Sequence, residues 1–256
     1  PDSHSMMVIL PEHKLGVVVL SNSSSSHVAV SKIAAEALRL MLDAKTGIRQ
    51  DAMPPARAAE RPPTADELRE FNGNFDTMVG LARISTKDGQ IDAEAAGHQF
   101  RLVPHEDGLF TIKYRLFGMM AVRVGAFEDI RLSMANVDGR KIIVGRIGAE
   151  SLIFGEKLKP TTIPERFWKN LGNYEIVGKI DGPTPDKLLL REDNGLLVGE
   201  AHFPEVPDLL LRIAFHAVSD NEVVTAGLGT GRGDTLRLIG AGDDAMLGFS
   251  GVQFFF

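Results

Sequence analysis

The chain has 256 residues, of which 44% are hydrophobic and 24% charged, a composition typical of globular proteins. The net charge of −6 and the lack of any basic cluster argue against a nucleic-acid partner, and no apolar run reaches the roughly 18 residues of a membrane-spanning helix. Without cysteine the chain has neither disulfides nor thiolate metal sites, and its seven histidines show no metal-ligand spacing, so no metal and no cofactor are predicted.

The first fifty residues predict a hairpin followed by a helix. Residues 6–10 (MMVIL) and 15–20 (LGVVVL) are almost wholly apolar, and continuous apolar runs are typical of strands that are covered on both faces. A helix is predicted over 27–43 because one apolar stripe recurs at three- and four-residue spacing. The stripe consists of Val28, Ile33, Ala34, Ala37, Leu38, Met41 and Leu42.

Lys45-Thr46-Gly47 matches a signature tripeptide of serine β-lactamases and penicillin-binding proteins. In those enzymes the tripeptide lies on a strand, whereas the ten residues before Lys45 are strong helix formers. A lysine in the last helical turn and a glycine just after it are both typical of a helix C-terminus. The tripeptide is therefore predicted to end the helix and to have no catalytic role.

Two β units follow, separated by short linkers. The Pro- and Ala-rich segment 51–65 is predicted to be a linker between residues 1–50 and a first β unit at 66–158. A second linker at 159–166 precedes a second β unit at 167–256. Short strands at roughly ten-residue spacing, nine in the first unit and seven in the second, predict antiparallel sandwiches or barrels.

The two β units resemble each other. GNFDTMVG at 73–80 matches GNYEIVG at 172–178, and each follows an aromatic residue (Phe71 in one, Phe167 and Trp168 in the other). GQIDAEAAG at 89–97 and GLLVGEAHF at 195–203 match as well. These matches indicate a duplication, although Gly-Asn-aromatic is also a common way to open a strand. Trp168 is predicted to plug one end of the second unit.

This order of elements resembles the D-aminopeptidase type of penicillin-recognising serine hydrolase. The hairpin and helix resemble the end of its β-lactamase-like catalytic domain, and the β units resemble its two eight-stranded antiparallel barrels. The resemblance implies a mainly β chain, with two small lipocalin-like antiparallel barrels after a hairpin and helix from the end of an α/β catalytic domain. It also implies a bacterial protein, and the lack of cysteine fits the cytoplasm or the periplasm without choosing between them.

The residues that carry catalysis in that family are absent from this sequence. No Ser is followed three residues later by Lys, neither tyrosine begins Tyr-x-Asn, and no His-x-Gly occurs. Without a nucleophile and its base there is no covalent chemistry, so no catalytic residue is assigned and the chain alone is predicted to be inactive. We expect it to be a segment of a longer or nicked hydrolase, whose catalytic half would be its partner and would cleave small peptides or esters.

One loop is a candidate functional site. By resemblance, a loop of the last barrel reaches the catalytic cleft and limits substrate size, and its glycines would permit close approach to another surface. Arg232 would hold a substrate carboxylate in a bidentate pair. The alternative is a flexible hairpin tip with one surface arginine. The loop comprises Gly227, Gly229, Thr230, Gly231, Arg232, Gly233 and Asp234.

Two other functions stay open at this point. One or both barrels would bind a small apolar ligand, and an interior already filled with side chains would count against this. Alternatively, the β units would serve as scaffolding or dimerisation modules, since a homo-oligomer is expected. Neither a membrane nor a nucleic acid is expected as a partner.

Overall fold

The computed structural model describes residues 3–23, 26–50, 58–116, 120–122, 130–147, 150–177, 185–204, 210–229, 233–240, 245–249 and 252–255. Two closed eight-stranded antiparallel barrels follow an N-terminal hairpin and helix, which confirms the predicted mainly β fold. None of the helices in these ranges has the length and apolar character needed to cross a bilayer.

The chain opens with a two-stranded sheet that is covered on one face. Strand β1 (His4–Leu10) pairs antiparallel with β2 (Leu15–Ser21), and helix α1 (His27–Thr46) packs against both strands. Burial alternates strictly along each strand. The prediction of cover on both faces is therefore not met within the described residues. The outer face stays exposed, and it consists of Met7, Ile9, Val18 and Leu20.

Helix α1 carries two apolar stripes rather than one. Val30, Ala34, Leu38 and Leu42 recur every four residues and are buried. Ile33 and Met41, which were assigned to the buried stripe, are exposed together with Leu40. The prediction merged the two stripes because residues three and four apart lie close together on a helix. When the apolar surface of a helix is this wide, the spacing alone does not show which part of it is buried. We refer to β1, β2 and α1 as the hairpin–helix unit.

The Lys45-Thr46-Gly47 segment ends α1, as predicted. The Lys45 ammonium donates to the carbonyl of His13 at 2.8 Å and to that of Lys14 at 3.3 Å, which ties the helix end to the hairpin turn. Gly47 has a φ of 73°, and its N–H donates to the Asp43 carbonyl at 2.8 Å. The tripeptide is thus a helix terminus that stabilises the hairpin.

The second part of the predicted first linker lies along the first barrel. The N–H of Arg61 donates to the Pro104 carbonyl at 3.0 Å, and the N–H of Glu106 donates to the Ala59 carbonyl at 3.0 Å. Helix α2 (Ala65–Phe71) then begins with a capping box formed by Thr64 and Glu67. Residues 51–57 lie outside the described ranges.

The first barrel is a sheet in the order β6-β5-β4-β3-β11-β10-β9-β7, closed by pairing between β6 and β7, with β8 as an additional strand on β7. All nine predicted strands are present. They are β3 (Gly73–Thr77), β4 (Gly80–Ser85), β5 (Ile91–Ala95), β6 (His98–Pro104), β7 (Phe110–Leu116), β8 (Met120–Val122), β9 (Ile130–Val137), β10 (Arg140–Ile147) and β11 (Glu150–Lys157).

The second barrel pairs each strand with the next and closes between β12 and β19. Its strands follow helix α3 (Glu165–Trp168), and they are β12 (Gly172–Val177), β13 (Lys187–Asp193), β14 (Leu196–His202), β15 (Leu210–Ala217), β16 (Glu222–Thr225), β17 (Thr235–Ile239), β18 (Met246–Phe249) and β19 (Val252–Phe255). This unit has eight strands where the sequence predicts seven, because the last predicted strand, at 245–255, is two strands that pair with each other.

The structure supports the duplication. Phe71 of α2 and Phe167 of α3 are both completely buried, and both contribute to the core of the barrel that follows. Phe75 and Tyr174, the aromatic residues of the two Gly-Asn-aromatic strings, are completely buried as well. The prediction for Trp168 is wrong, since it is 50% exposed. Its neighbour Phe167 occupies the barrel core instead, because a four-residue helix turns only one of two adjacent side chains inward.

Candidate functional site

The glycine-rich loop connects β16 to β17 at the junction of the two barrels. The β16–β17 pairing extends to the base of the loop, where the Thr225 N–H donates to the Asp234 carbonyl at 2.9 Å. Gly227 and Gly233 have φ values of 83° and 77°, a region that favours glycine. We call residues 227–234 the glycine hairpin.

The first half of the glycine hairpin rests on the first barrel. Asp76, at the end of β3, is only 1% exposed, and its Oδ2 accepts a hydrogen bond from the N–H of Gly229. A Cβ added at Gly227 would lie 2.6 Å from the Asp76 Cβ, and one added at Gly229 would overlap the Thr77 carbonyl oxygen. Glycine at 227 and 229 therefore permits close approach to another surface, and that surface is the first barrel.

A third glycine makes a similar contact from the opposite side. Gly80 follows the β3–β4 turn with a φ of 94°, and a Cβ there would come within 2.5 Å of the Arg212 carbonyl oxygen of β15. The Thr77 hydroxyl donates to the Gly80 carbonyl at 2.6 Å and holds this turn. Sequence reasoning missed Asp76 and Gly80, because nothing in the local pattern indicates contacts with residues about 130 to 150 positions later in the chain.

The other predicted loop residues divide into two groups. Gly233 has no atom within 4 Å of a Cβ added to it, and Asp234 is half-buried at the start of the return strand. Thr230, Gly231 and Arg232 lie outside the described residues. The role of Arg232 as a carboxylate ligand therefore stays a prediction.

An ion-pair network crosses the same junction. Arg212 of the second barrel donates to Glu94 of the first barrel at 2.7 Å and to Glu200 of its own barrel at 2.8 Å. Burial alone would lower the pKa of Arg212, but the hydrogen bonds to Glu200 and Glu94 outweigh it and raise the pKa above its usual value. Glu94 and Glu200, one from each barrel, are thus both part of the junction.

The network continues to the far side of the junction. Arg191 lies 3.3 Å from Glu200 and 3.1 Å from Asp193, and Asp193 accepts hydrogen bonds at 2.6 Å from Arg83 of the first barrel. Arg83 and Glu94 are register partners on β4 and β5, so both ion pairs that cross the junction start from neighbouring strands of the first barrel. Two ion pairs between the barrels, Arg83–Asp193 and Arg212–Glu94, favour one orientation of one barrel on the other.

The histidines of the first barrel have structural partners. His105 is buried, with Nδ1 donating to the Ala58 carbonyl at 2.6 Å and Nε2 lying 2.9 Å from the Thr111 hydroxyl. His98 Nδ1 lies 3.1 Å from the Tyr114 hydroxyl. Among the described residues no group of three or more His, Asp and Glu side chains is placed to hold a metal ion.

No protein-family model matches this chain, and no curated protein matches it either. The junction of the two barrels brings together a buried carboxylate, three glycines and a network of ion pairs, an arrangement suited to holding the start of the glycine hairpin in a fixed position.

Proposed function

We propose that this chain is the C-terminal segment of a serine hydrolase that cleaves amide or ester bonds through a serine acyl-enzyme. In this proposal the hairpin–helix unit completes the catalytic sheet, the glycine hairpin gates the cleft, and the barrels support oligomerisation. The catalytic half of the same hydrolase would supply the nucleophile, and small peptides or esters would be the substrates.

The observation that carries the proposal is the exposed apolar surface on both sides of the hairpin–helix unit. Met7 and Leu20 on the outer face are 70% and 76% exposed, and Ile33 and Leu40 are exposed on the far side of α1. Among the described residues β1 and β2 pair only with each other. A two-stranded sheet is marginally stable by itself. Covering the outer face of the hairpin and the far side of α1 with another part of a protein would therefore be favourable.

The energetics point the same way. The four side chains of the outer face are about two-thirds exposed on average. Covering them would stabilise the protein by roughly 4–8 kcal/mol, at about 1.5–3 kcal/mol for each fully buried side chain. That is a large part of the 5–15 kcal/mol net stability typical of a domain. The catalytic half of a β-lactamase-like domain would supply both this cover and a neighbouring strand.

The glycine hairpin supports the gating part of the proposal. Its first two glycines, Gly227 and Gly229, are held against Asp76 of the first barrel. A loop that limits substrate size must keep its position when substrate arrives, and an anchored base provides this. Arg232 would then meet the carboxylate of a peptide substrate.

The test is the intact mass of the native gene product combined with labelling by a fluorescent penicillin or a fluorophosphonate. We expect a product larger than the 27.8 kDa of this chain, labelled at a serine outside residues 1–256. Either a native product of 27.8 kDa or label on a serine within these residues would overturn the proposal. The 256-residue chain alone is the matched control, and it should remain unlabelled.

The ligand-binding alternative is disfavoured by the barrel interiors. Buried aromatic and aliphatic side chains fill the centre of each barrel, with Phe75 and Ile91 in one and Tyr174 and Leu190 in the other. A filled interior leaves little room for an apolar ligand. The scaffolding alternative would be distinguished by sedimentation, because a stable dimer should bury at least about 1,000 Å².

A further inference from the structure

A cleft of about 360 Å³ lies between the two barrels, outside both barrel interiors. One wall comes from β10, β11 and the segment that follows β11, and the other comes from β14, β15 and the start of the glycine hairpin. Its size is at the lower end of the range for small-molecule sites, about 300–1,000 Å³. All of its lining residues belong to the described ranges.

The floor of the cleft is apolar. Leu158, Leu196 and Ala226 belong to the small hydrophobic cluster that joins the barrels, and Phe215 is part of the second barrel core. These side chains offer a surface for the hydrocarbon part of a ligand. Pockets that bind small molecules usually combine such a surface with a few polar groups that fix orientation.

The rim of the cleft is cationic, although the chain as a whole has a net charge of −6. Four cations line it against one carboxylate, Glu156, and this carboxylate is bound by the Arg140 guanidinium at 2.6 and 2.5 Å. Even after Glu70, the 2.5 Å partner of Lys141, is counted, the formal charge of the rim is about +2. The four cations are Arg140, Lys141, Lys157 and Lys159.

Two of the lysines have no carboxylate partner among the described residues. Lys157 donates to the backbone carbonyls of Glu70 and Arg69 at 2.8 and 3.3 Å, and burial lowers its pKa. Lys159 is exposed at the rim and has neither a hydrogen bond nor an ion pair within the part of the chain that the structure describes. A bound anion would therefore find a free ammonium at Lys159 and a second positive charge nearby.

We propose that this cleft binds a small organic carboxylate with an apolar body. The carboxylate would meet Lys159, with Lys157 adding to the positive potential, and the hydrocarbon would lie on Leu158, Leu196 and Phe215. A ligand in this position contacts both barrels and Gly227 at once, so it stabilises their docking. This binding does not depend on the proposed hydrolase function.

The experiment is calorimetric titration of the 256-residue chain with octanoate, acetate and octyltrimethylammonium. We expect saturable octanoate binding that weakens as salt is added. Acetate lacks the apolar body and octyltrimethylammonium has the wrong charge, so both should bind much more weakly. No saturation by octanoate up to low millimolar concentration, or equal binding of either comparison compound, would overturn the proposal.

A matched pair of variants locates the site. Lys159→Glu should weaken octanoate binding by about tenfold or more, because it replaces a charge-assisted contact with repulsion. Lys87→Glu reverses an exposed lysine that does not line the cleft and should leave binding unchanged. Octanoate should also raise the thermal midpoint of the wild-type chain and of Lys87→Glu, but not of Lys159→Glu. Equal binding by both variants would contradict the assignment.

Discussion

In the two barrels the eight strands of each ring have a neighbour on both sides, whereas β1 and β2 pair only with each other among the described residues. The barrel interiors are filled with buried aromatic and aliphatic side chains, and charged pairs such as Asp92–Arg101 cover part of their outer surface. The hairpin–helix unit has one buried apolar layer and exposes apolar side chains on both outer sides. The strand pairing of each barrel is thus closed, whereas the hairpin–helix unit leaves an apolar surface exposed on both sides.

The largest expected effect comes from opening a barrel core. Phe167→Ala removes a completely buried ring and should cost about 3–5 kcal/mol of unfolding free energy. The only tryptophan of the chain, Trp168, is its neighbour, so urea unfolding followed by tryptophan fluorescence reports on the second barrel. Phe71→Ala, the matched change in the first barrel, should shift this signal less. Equal shifts would mean that the two barrels unfold as one unit.

Alkaline pH should weaken the second barrel through Tyr174. Burial raises the pKa of Tyr174 to about 12, and its hydroxyl donates to the Asn170 carbonyl at 2.6 Å. In the unfolded chain the tyrosine hydroxyl ionises near pH 10. The stability that the neutral Tyr174 hydroxyl contributes to the folded state is therefore fully present below pH 10 and is lost as the pH rises to about 12. The loss should be roughly 2–3 kcal/mol.

Urea unfolding at a series of pH values measures this effect. Tyr174→Phe should lack this alkaline loss of unfolding free energy. The unfolding free energy of the wild type minus that of the variant should therefore fall between pH 10 and 12. A constant difference across this range would show that the hydroxyl ionises as easily in the folded protein as in the unfolded chain.

The barrel junction should be sensitive to a single methyl group at one glycine and tolerant at another. Gly227→Ala places a Cβ against Asp76, whereas Gly233→Ala has a similar positive φ and free space around it. Both changes carry the cost of a left-handed alanine, about 1–2 kcal/mol. Gly227→Ala should cost about 1–3 kcal/mol more because of overpacking, as measured by urea unfolding. Equal costs would argue against close contact at the junction.

The smallest effect on stability should come from the outer face of the hairpin–helix unit. Val18→Lys with Leu20→Lys should change the unfolding free energy by only about 0.5 kcal/mol per site, because both side chains are exposed. Sedimentation velocity should show less self-association than in the wild type. Leu38→Lys, on the buried stripe of α1, is the control and should destabilise strongly. A large loss from the outer-face variant would mean that this face is already covered.

The sequence predicted the elements of this fold better than their contacts. Turn signals such as Asp138-Gly139 and Asn194-Gly195 lie at hairpins whose φ values are positive, so the strand boundaries followed from local chemistry. Alternation indicates which side chains share a face, but it does not show which strands close a ring. The continuous apolar runs in β1 and β2 likewise left open what covers the outer face.

The candidate site was predictable only in part. Gly227 and Gly229 approach another surface closely, whereas Gly233 has a positive φ and open space around it, so glycine in a hairpin indicates either close contact or a special backbone conformation. The surface itself, formed by Asp76 and Thr77, lies about 150 residues earlier in the chain. Whether Phe167 or Trp168 enters the barrel core depends on the orientation of the four-residue helix α3. Two adjacent aromatic residues in the sequence do not reveal that orientation.

Arg212 makes the contact between the two similar barrels asymmetric. Glu94 and Glu200 occupy matching positions in the two copies of the repeat, yet both are bound by this one arginine, which only the second barrel supplies. Arg191 of the second barrel also lies 3.3 Å from Glu200, whereas Arg212 is the residue that reaches Glu94 in the other barrel. The two barrels therefore contribute unlike residues to this contact, so exchanging their places would not reproduce it.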